Sequence, residues 1–440
     1  MKKCTLIFLT LLCSLFSEAQ IANKENLDQL FDTFEKENKA MGTVSILKNG
    51  LETYQKSFGL SNIKLDKKAN EYTKYRIGSI TKTFTATIIL QLVEEGKLSL
   101  LSLVSDYFPQ IPNSNKITIK NLLYHRSGLY NITKEKGFHV WISKSRNRKE
   151  MLAKITNHKV DFQPNEKTAY SNTNYILLSF IAEKIDKRKF SKILQRRIIK
   201  PLNLKRTIFG KKIKIKKNEA FSYYWENTKW NPITLETNLK GPMGAGAIVS
   251  TAKEINVFYS NLFSGKLISE NSLQKMTTPI NGMGMGLSVM KYKGLLIYGH
   301  DGGIDGFRSM AAFIPKKKLS IAFTLNASNI STSGTLIEII DTYFKNDPTV
   351  KDIPLIDLKT EDLDKYLGIY SGSSFPLKVT ITKKENVLYA QATGQPIFKL
   401  NASKKNVFNY DPLGIKFTFT PKNNSVTVKF QGNNHLLTKE

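Results

Sequence analysis

The amino-acid sequence predicts an α+β domain followed by a small all-β domain. Three observations carry that expectation. Strand patterns stand at both ends of the first 345 residues, in TVSILKNGLETYQKSFGLSN (43–62) and again across 293–326, with a largely helical stretch between them, so distant segments should complete one antiparallel sheet flanked by helices. Near residue 345 the composition turns to charge and proline. Beyond it, apolar residues fall on alternate positions, Ile415, Phe417, Phe419 and then Val426, Val428, Phe430, which is the period of a half-buried strand.

Taken in order, the chain opens with MKKCTLIFLTLLCSLFSEAQ. Lys2 and Lys3 precede an apolar stretch from Leu6 to Phe16, and Ser17 and Ala19 supply the small residues of a cleavage site, so residues 1–19 read as a signal peptide. The stretch is shorter than the roughly 20 residues a membrane span needs. Lipid attachment at Cys13 is disfavoured by Leu12, where a small residue is required. The protein is therefore expected to be exported, to the periplasm or beyond. Residues 24–40 read as helix. Asn49-Gly50 is a strong turn signal and joins two strands within 43–62. From Ser79 onward, Ile88, Ile89, Leu92 and Val93 recur at helical spacing, and Gly96 stands where a helix would stop. Ser79 thus falls at a helix N-terminus. Residues 118–200 read as helices with polar loops, including one that begins near Thr173, and KKIKIKK (211–217) alternates as a strand with one solvated face would. GLLIYGH, GFRSMAAFI and LSIAFTLN, within 294–326, give three strands, the last two joined through Pro315–Lys318. These elements make up a first domain of residues 20–345. A charged, proline-containing linker covers 346–362. The second domain, 363–440, shows strands at 377–382, 387–392, 415–420 and 425–430.

Charge and cysteine content narrow the function classes. Taking Lys2, Lys3 and Glu18 from 66 basic and 36 acidic residues leaves 64 against 35, a net +29. Such a field attracts anions. The lysines are scattered, however, and no nucleic-acid motif accompanies them, so nucleic acid is not an expected partner; electrostatic association with anionic envelope surfaces is. Both cysteines, Cys4 and Cys13, lie in the leader. The mature chain then has no disulfide and no cysteine metal site, and neither metal nor cofactor is expected. Nothing in the sequence sets an oligomeric state.

Three groups of residues can do chemistry. In RIGSITKTF (76–84), Ser79 and Lys82 are three apart and share one face of a helix, so the amine can reach the hydroxyl. A serine is a weak nucleophile until something takes its proton, and lysine becomes a base only when burial or a neighbouring cation lowers its pKa. In AYSNTNY (169–175), Tyr170 can exchange protons with a serine, ionising beside a cation below its usual pKa of roughly 10. Asn172 offers an amide to hold a carbonyl or to orient the lysine. In YGHDGGIDGF (298–307), His300 and Gly302 share one face of a strand, and the N–H of Gly303 can pair with that of Ser79 to stabilise an oxyanion. Each group alone has an ordinary structural explanation: an N-cap, a helix-entry turn, a glycine-rich turn.

Together, and in this order, they resemble the active-site motifs of the serine beta-lactamase and penicillin-binding-protein superfamily: Ser-x-x-Lys, then Tyr-x-Asn, then Lys-Thr-Gly or His-x-Gly on a strand. The likeness is to the branch of class C beta-lactamases, DD-carboxypeptidases, D-aminopeptidases and family VIII esterases. Its other marks are ITIKNLLYHRSGL (117–129), FQPNEKTAYSN (162–172), PLNLKRT (201–207) and GPMGAGAIVST (241–251). The resemblance spans roughly residues 25–345 and implies a beta-lactamase/transpeptidase-like fold with a helical subdomain. It makes Ser79 the nucleophile, with Lys82 and Tyr170 managing its proton, either being the formal base. Asn172, His300, Gly302 and Gly303 hold the substrate, and His125 is architectural. Asn165 and Ala247 stand where the family often has glycine. The β-rich tail resembles the lipocalin-like barrel appended to many members. The activity implied is serine hydrolysis of an ester, amide or D-amino-acid peptide, from a small-molecule or peptide substrate; a penicillin-binding protein or acylated sensor with little turnover, and a true beta-lactamase, are the alternatives. His300 in place of lysine implies weaker attraction for a substrate carboxylate at pH 7, with Arg308 the nearby cation.

Overall fold

The computed structural model describes residues 23–345, 347, 350, 358–395, 397–410, 415–430 and 433–440. The expected signal peptide and most of the expected linker lie outside the described residues. The elements that frame the first domain are α1 (Lys24–Lys36), β1 (Ala40–Lys48), β2 (Leu51–Phe58), α2 (Thr81–Glu94), α3 (Asn172–Asp186), α4 (Ala252–Phe263), β3 (Ser288–Tyr292), β4 (Leu295–Ile304), β5 (Phe307–Ile314), β6 (Leu319–Ser328) and α5 (Thr332–Tyr343). The six strands form one sheet in the order β3-β4-β5-β6-β1-β2, antiparallel throughout. The N-terminal hairpin joins the later strands through β1, with Val44 opposite Phe323.

Strand alternation sends side chains to two cores. On β5, Met310, Ala312 and Ile314 pack with Leu27, Phe31 and Phe34 of α1 and Ile339 and Ile340 of α5. Ala311 and Phe313 face the opposite way, into a core built on α2, α3 and α4, where Phe84 and Phe258 stack 3.6 Å apart. Helix α2 is covered on nearly every side. Its threonines are therefore satisfied internally: Thr83 Oγ1 donates to the Gly286 carbonyl at 2.6 Å and Thr85 Oγ1 to that of Gly244 at 2.7 Å. Packing here outweighs the low helix propensity of β-branched residues.

The second domain is a closed barrel of eight strands, β7 (Gly368–Gly372), β8 (Phe375–Lys384), β9 (Val387–Ala392), β10 (Phe398–Lys404), β11 (Val407–Tyr410), β12 (Ile415–Thr420), β13 (Ser425–Phe430) and β14 (Asn433–Lys439). Pairing of β14 with β7 closes it, which removes both edges. Tyr366, Tyr370, Phe408, Phe417, Phe419 and Leu437 pack inside it. A 3-10 helix, Thr360–Tyr366, enters at the boundary expected between linker and domain and puts Leu363 and Tyr366 into that core. Tyr410 meets the first domain through Ser333, hydroxyl to hydroxyl, at 3.0 Å.

Several boundaries differ from expectation. The first helix ends at Lys36, and Asn38 turns the chain with φ +51°, so β1 starts at Ala40 rather than Thr43. Ser79 lies in a 3-10 turn, Gly78–Ile80, that leads into α2. KKIKIKK is not a strand: it is loop and a 3-10 turn at Ile215–Lys217. Its backbone N–H groups at Ile213 and Lys214 are taken by the carboxylates of Glu236 and Glu219 instead of a neighbouring strand. Four barrel strands, β7, β10, β11 and β14, carry too weak an alternation to be read from sequence.

Candidate active site

Ser79 sits between the short strand Tyr75–Arg76 and α2, where the chain must turn under the end of β4. Two glycines permit the approach. Gly78 has φ +48°, and a Cβ there would lie 2.8 Å from the Gly303 nitrogen; a Cβ on Gly302 would lie 2.1 Å from the Ile77 carbonyl oxygen. The backbones that carry the Ser79 and Gly303 N–H groups are thus packed against each other. Pairing between β3 and β4 ends at Ser288 opposite Gly299, so the segment His300–Gly303 presents its edge toward the Ser79 turn.

The three sequence groups meet at the Ser79 hydroxyl. Lys82 Nζ lies 2.9 Å from Ser79 Oγ, and Tyr170 Oη donates to the same oxygen at 2.8 Å. Lys82 Nζ also lies 2.8 Å from Asn172 Oδ1 and 2.8 Å from the Ala245 carbonyl. Lys82 is completely buried. Burial pushes its ammonium down to about 7, and the exposed Asp301 carboxylate opposes that shift. The same burial raises the Tyr170 phenol above its usual range, with the bond to Ser79 pulling the other way. This differs from the expectation that Tyr170 ionises beside a cation. The low dielectric that discharges the lysine also disfavours a phenolate.

His300 is 4% exposed. Its Nδ1 lies 2.6 Å from the Asp301 carbonyl, which makes Nδ1 the protonated nitrogen and leaves Nε2 an acceptor without a partner among the described residues. Burial lowers its pKa, Asp301 opposes this, and Lys82 adds to the lowering. Arg308 stands opposite Gly303 in the β4–β5 ladder, with its Nη1 bonded to the Phe307 carbonyl at 2.9 Å.

His125 brackets Tyr170. Its carbonyl accepts from Ala169 N–H at 2.9 Å, its Nδ1 accepts from Ser171 N–H at 3.1 Å, and its ring lies 4.5 Å from the Tyr170 ring. Burial holds this imidazole neutral, well below its ordinary pKa, with Lys82 adding to the effect. Asn165 takes the left-handed conformation, φ +68°, that a glycine would adopt at that loop.

Sequence reasoning missed the supports of Asn172. Asn131 Oδ1 accepts from its backbone N–H at 3.0 Å, and its side-chain amide donates to Thr133 Oγ1 at 3.1 Å. These fix the amide so that its oxygen faces Lys82. It also missed the Ala245 carbonyl, although GPMGAGAIVST was singled out. Among the described residues no group of three His, Cys, Asp or Glu side chains could hold a metal ion.

The arrangement offers a hydroxyl flanked by a buried amine that titrates at about 7 and a neutral phenol, beside two backbone N–H donors. The family model described as Beta-lactamase matches residues 27–336. A relative from Bacillus subtilis (strain 168), the putative penicillin-binding protein PbpX, is 29% identical over 318 residues, covering 72% of this chain and 78% of its own. A D-stereospecific amidohydrolase from Streptomyces sp. superposes with a TM-score of 0.63 at 28% identity, covering 71% of this chain and 96% of its own. An octameric penicillin-binding protein homologue from Pyrococcus abyssi, at 23% identity, shares the fold over 94% of this chain and 99% of its own, with a TM-score of 0.65.

Proposed function

The chain belongs to the beta-lactamase family, and from that premise we propose that it is an exported serine hydrolase working through an acyl-enzyme on Ser79. The observation that carries this reading is the surroundings of Lys82. A neutral amine has two N–H bonds and one lone pair. Asn172 Oδ1 and the Ala245 carbonyl accept two of the Lys82 N–H bonds and Ser79 Oγ, 2.9 Å away, lies along the third direction, so once the ammonium loses that third proton its lone pair faces the proton of Ser79 Oγ. Lys82 is then the base. Tyr170, which stays protonated, supports the oxygen as a donor.

In the acylation step Ser79 Oγ forms a bond to the substrate carbonyl carbon while its proton passes to Lys82. The N–H groups of Ser79 and Gly303 stabilise the oxyanion that results. Collapse of this intermediate breaks the bond to the leaving group, which takes a proton from Lys82 through Tyr170. Water then attacks the ester, and the same groups return the serine. His300 is neutral at pH 7, so a substrate carboxylate meets no permanent charge at this position. Neutral esters and amides of amino acids fit the site best, and similarity to a D-stereospecific amidohydrolase supports the amide. Similarity to a penicillin-binding protein favours a second reading, in which the acyl-enzyme persists. The leader of residues 1–19 would place this chemistry outside the cytoplasm.

The test is a panel of p-nitrophenyl esters, D- and L-amino-acid amides, D-Ala-D-Ala peptides and a chromogenic cephalosporin, run on wild type and Ser79→Ala. Turnover of an ester or amide that Ser79→Ala abolishes supports a hydrolase. A stoichiometric burst without turnover supports the receptor. Equal turnover by both proteins overturns the reading.

A further inference from the structure

We infer that the buried ion pair of Arg76 and Asp305 positions the oxyanion site, by tying together the two backbone segments that supply its N–H groups. The inference rests on the acyl-enzyme reading of Ser79. Arg76 is three residues before Ser79, and Asp305 is two residues after Gly303. Their side chains meet at 2.6 Å, with 2% of the arginine side chain and 5% of the aspartate exposed. Each ends in a built cluster. Asp305 Oδ1 accepts from Thr237 N–H at 3.2 Å and from Thr237 Oγ1 at 2.6 Å. Arg76 donates to the Thr237 carbonyl at 2.8 Å, to the Lys211 carbonyl at 3.1 Å and to the Glu236 carboxylate. Three chain segments far apart in sequence, at Lys211, Glu236-Thr237 and Asp305, are therefore locked to one guanidinium.

The geometry explains why the lock acts on the oxyanion site. Ile304 pairs with Phe307, so Asp305-Gly306 is a two-residue hairpin turn, and Asp305 has φ +48°. The carboxylate is thus held at the tip of the β4–β5 hairpin, where it fixes the end of the strand that carries Gly303. On the other side Arg76 fixes the entry to the Ser79 turn. Between the two, Ser309 Oγ donates to the Ile77 carbonyl at 2.9 Å, and Gly78 packs on Gly303. The ion pair lies outside the reacting atoms, so both residues are positioning residues. Donors that stabilise an oxyanion act only when already aimed at it, and a displacement of about 1 Å can cost about a hundredfold in rate.

Asp305→Asn isolates the effect. Asparagine tolerates the left-handed conformation and Asn-Gly is as good a turn as Asp-Gly, so the variant removes the charge and keeps the hairpin. Full-length wild type and variant are titrated with a fluorophosphonate, reading the maximal labelling rate, the half-saturating concentration and the final stoichiometry, and with phenylboronic acid as a tetrahedral mimic. The expected result is a labelling rate lower by about ten- to a hundredfold, half-saturation unchanged within about twofold, full final stoichiometry, and phenylboronic acid affinity reduced in parallel. A wild-type rate, or a lower final stoichiometry with an unchanged rate in the labelled fraction, would overturn the inference. If Asp305→Asn does not fold, Arg76→Lys, which keeps the charge and loses the fork, takes its place with the same expected and contrary results. A wild-type protein that is not labelled on Ser79 at all would instead defeat the acyl-enzyme reading beneath it.

Discussion

Acylation of Ser79 should rise with pH on the titration of Lys82. The buried ammonium has been pushed down to about 7, so the fraction of amine able to take the serine proton is about a tenth at pH 6 and about nine tenths at pH 8. The labelling rate of wild type with a neutral fluorophosphonate should therefore climb roughly tenfold over that interval and level off above it. Lys82→Arg keeps a cation that does not discharge, and should lower the rate by about 10² to 10⁴ without a rise near pH 7. The same shift has a stability consequence whose sign is opposite to that of a salt-bridged lysine. Between pH 7 and the ordinary lysine pKa the unfolded chain holds a proton that the folded protein lacks, so stability increases with pH. The difference in unfolding free energy between wild type and Lys82→Met should grow in favour of wild type by about 2 kcal/mol from pH 7 to pH 9, measured by urea denaturation. A labelling rate that is flat from pH 6 to 9, or one whose midpoint falls near 10, would refute the assignment of Lys82 as a discharged base.

His300→Lys should raise kcat/KM for carboxylate-bearing substrates relative to neutral ones by about tenfold at pH 7, since it introduces a cation where the wild type has neutral imidazole. In wild type that ratio should rise only as pH falls below the ordinary imidazole range, because burial lowers the His300 pKa; a ratio that already changes between pH 7 and 8 would contradict this. Truncation after residue 355 should leave the labelling rate of Ser79 within about twofold, because Tyr410 of the barrel meets the first domain at Ser333, away from every catalytic group. Loss of labelling in a truncated protein with native circular dichroism would mean that the barrel completes the site. Exported protein should begin at Gln20 by intact mass, and a diacylglycerol-modified Cys13 would show a lipoprotein instead.

Much of the candidate site was legible because its residue pattern is local and ordered along the chain. Ser79 and Lys82 reveal themselves by helical spacing, and Tyr170, Asn172 and His300 by short motifs that gain meaning only together. What was not legible depends on backbone atoms and on partners distant in sequence. The Ala245 carbonyl has no side chain to announce it, and Asn131 and Thr133 act on Asn172 across some 40 residues of chain. Arg76 stands inside RIGSITKTF with no signal of its own, and it meets Asp305 across 229 residues. The proposal of Lys82 over Tyr170 as base rests on burial, which is a property of the fold. In the fold itself, runs buried on both faces, such as LSIAFTLN, read clearly as strands. KKIKIKK misled because alternation records only which side chains prefer water, and a strand also needs a neighbour to take its hydrogen bonds. In the barrel, GIYSG and FKLNASK carry glycine, serine and asparagine among few apolar residues, and closure of the barrel rather than local propensity makes them strands.

Acylation of Ser79 is tested by peptide mapping of the protein after fluorophosphonate labelling, beside Ser79→Ala. One adduct per chain on the peptide that contains Ser79, absent from Ser79→Ala, is the predicted result. An adduct on Ser127, Ser171 or Ser250, with Ser79→Ala labelled as fast as wild type, would contradict it.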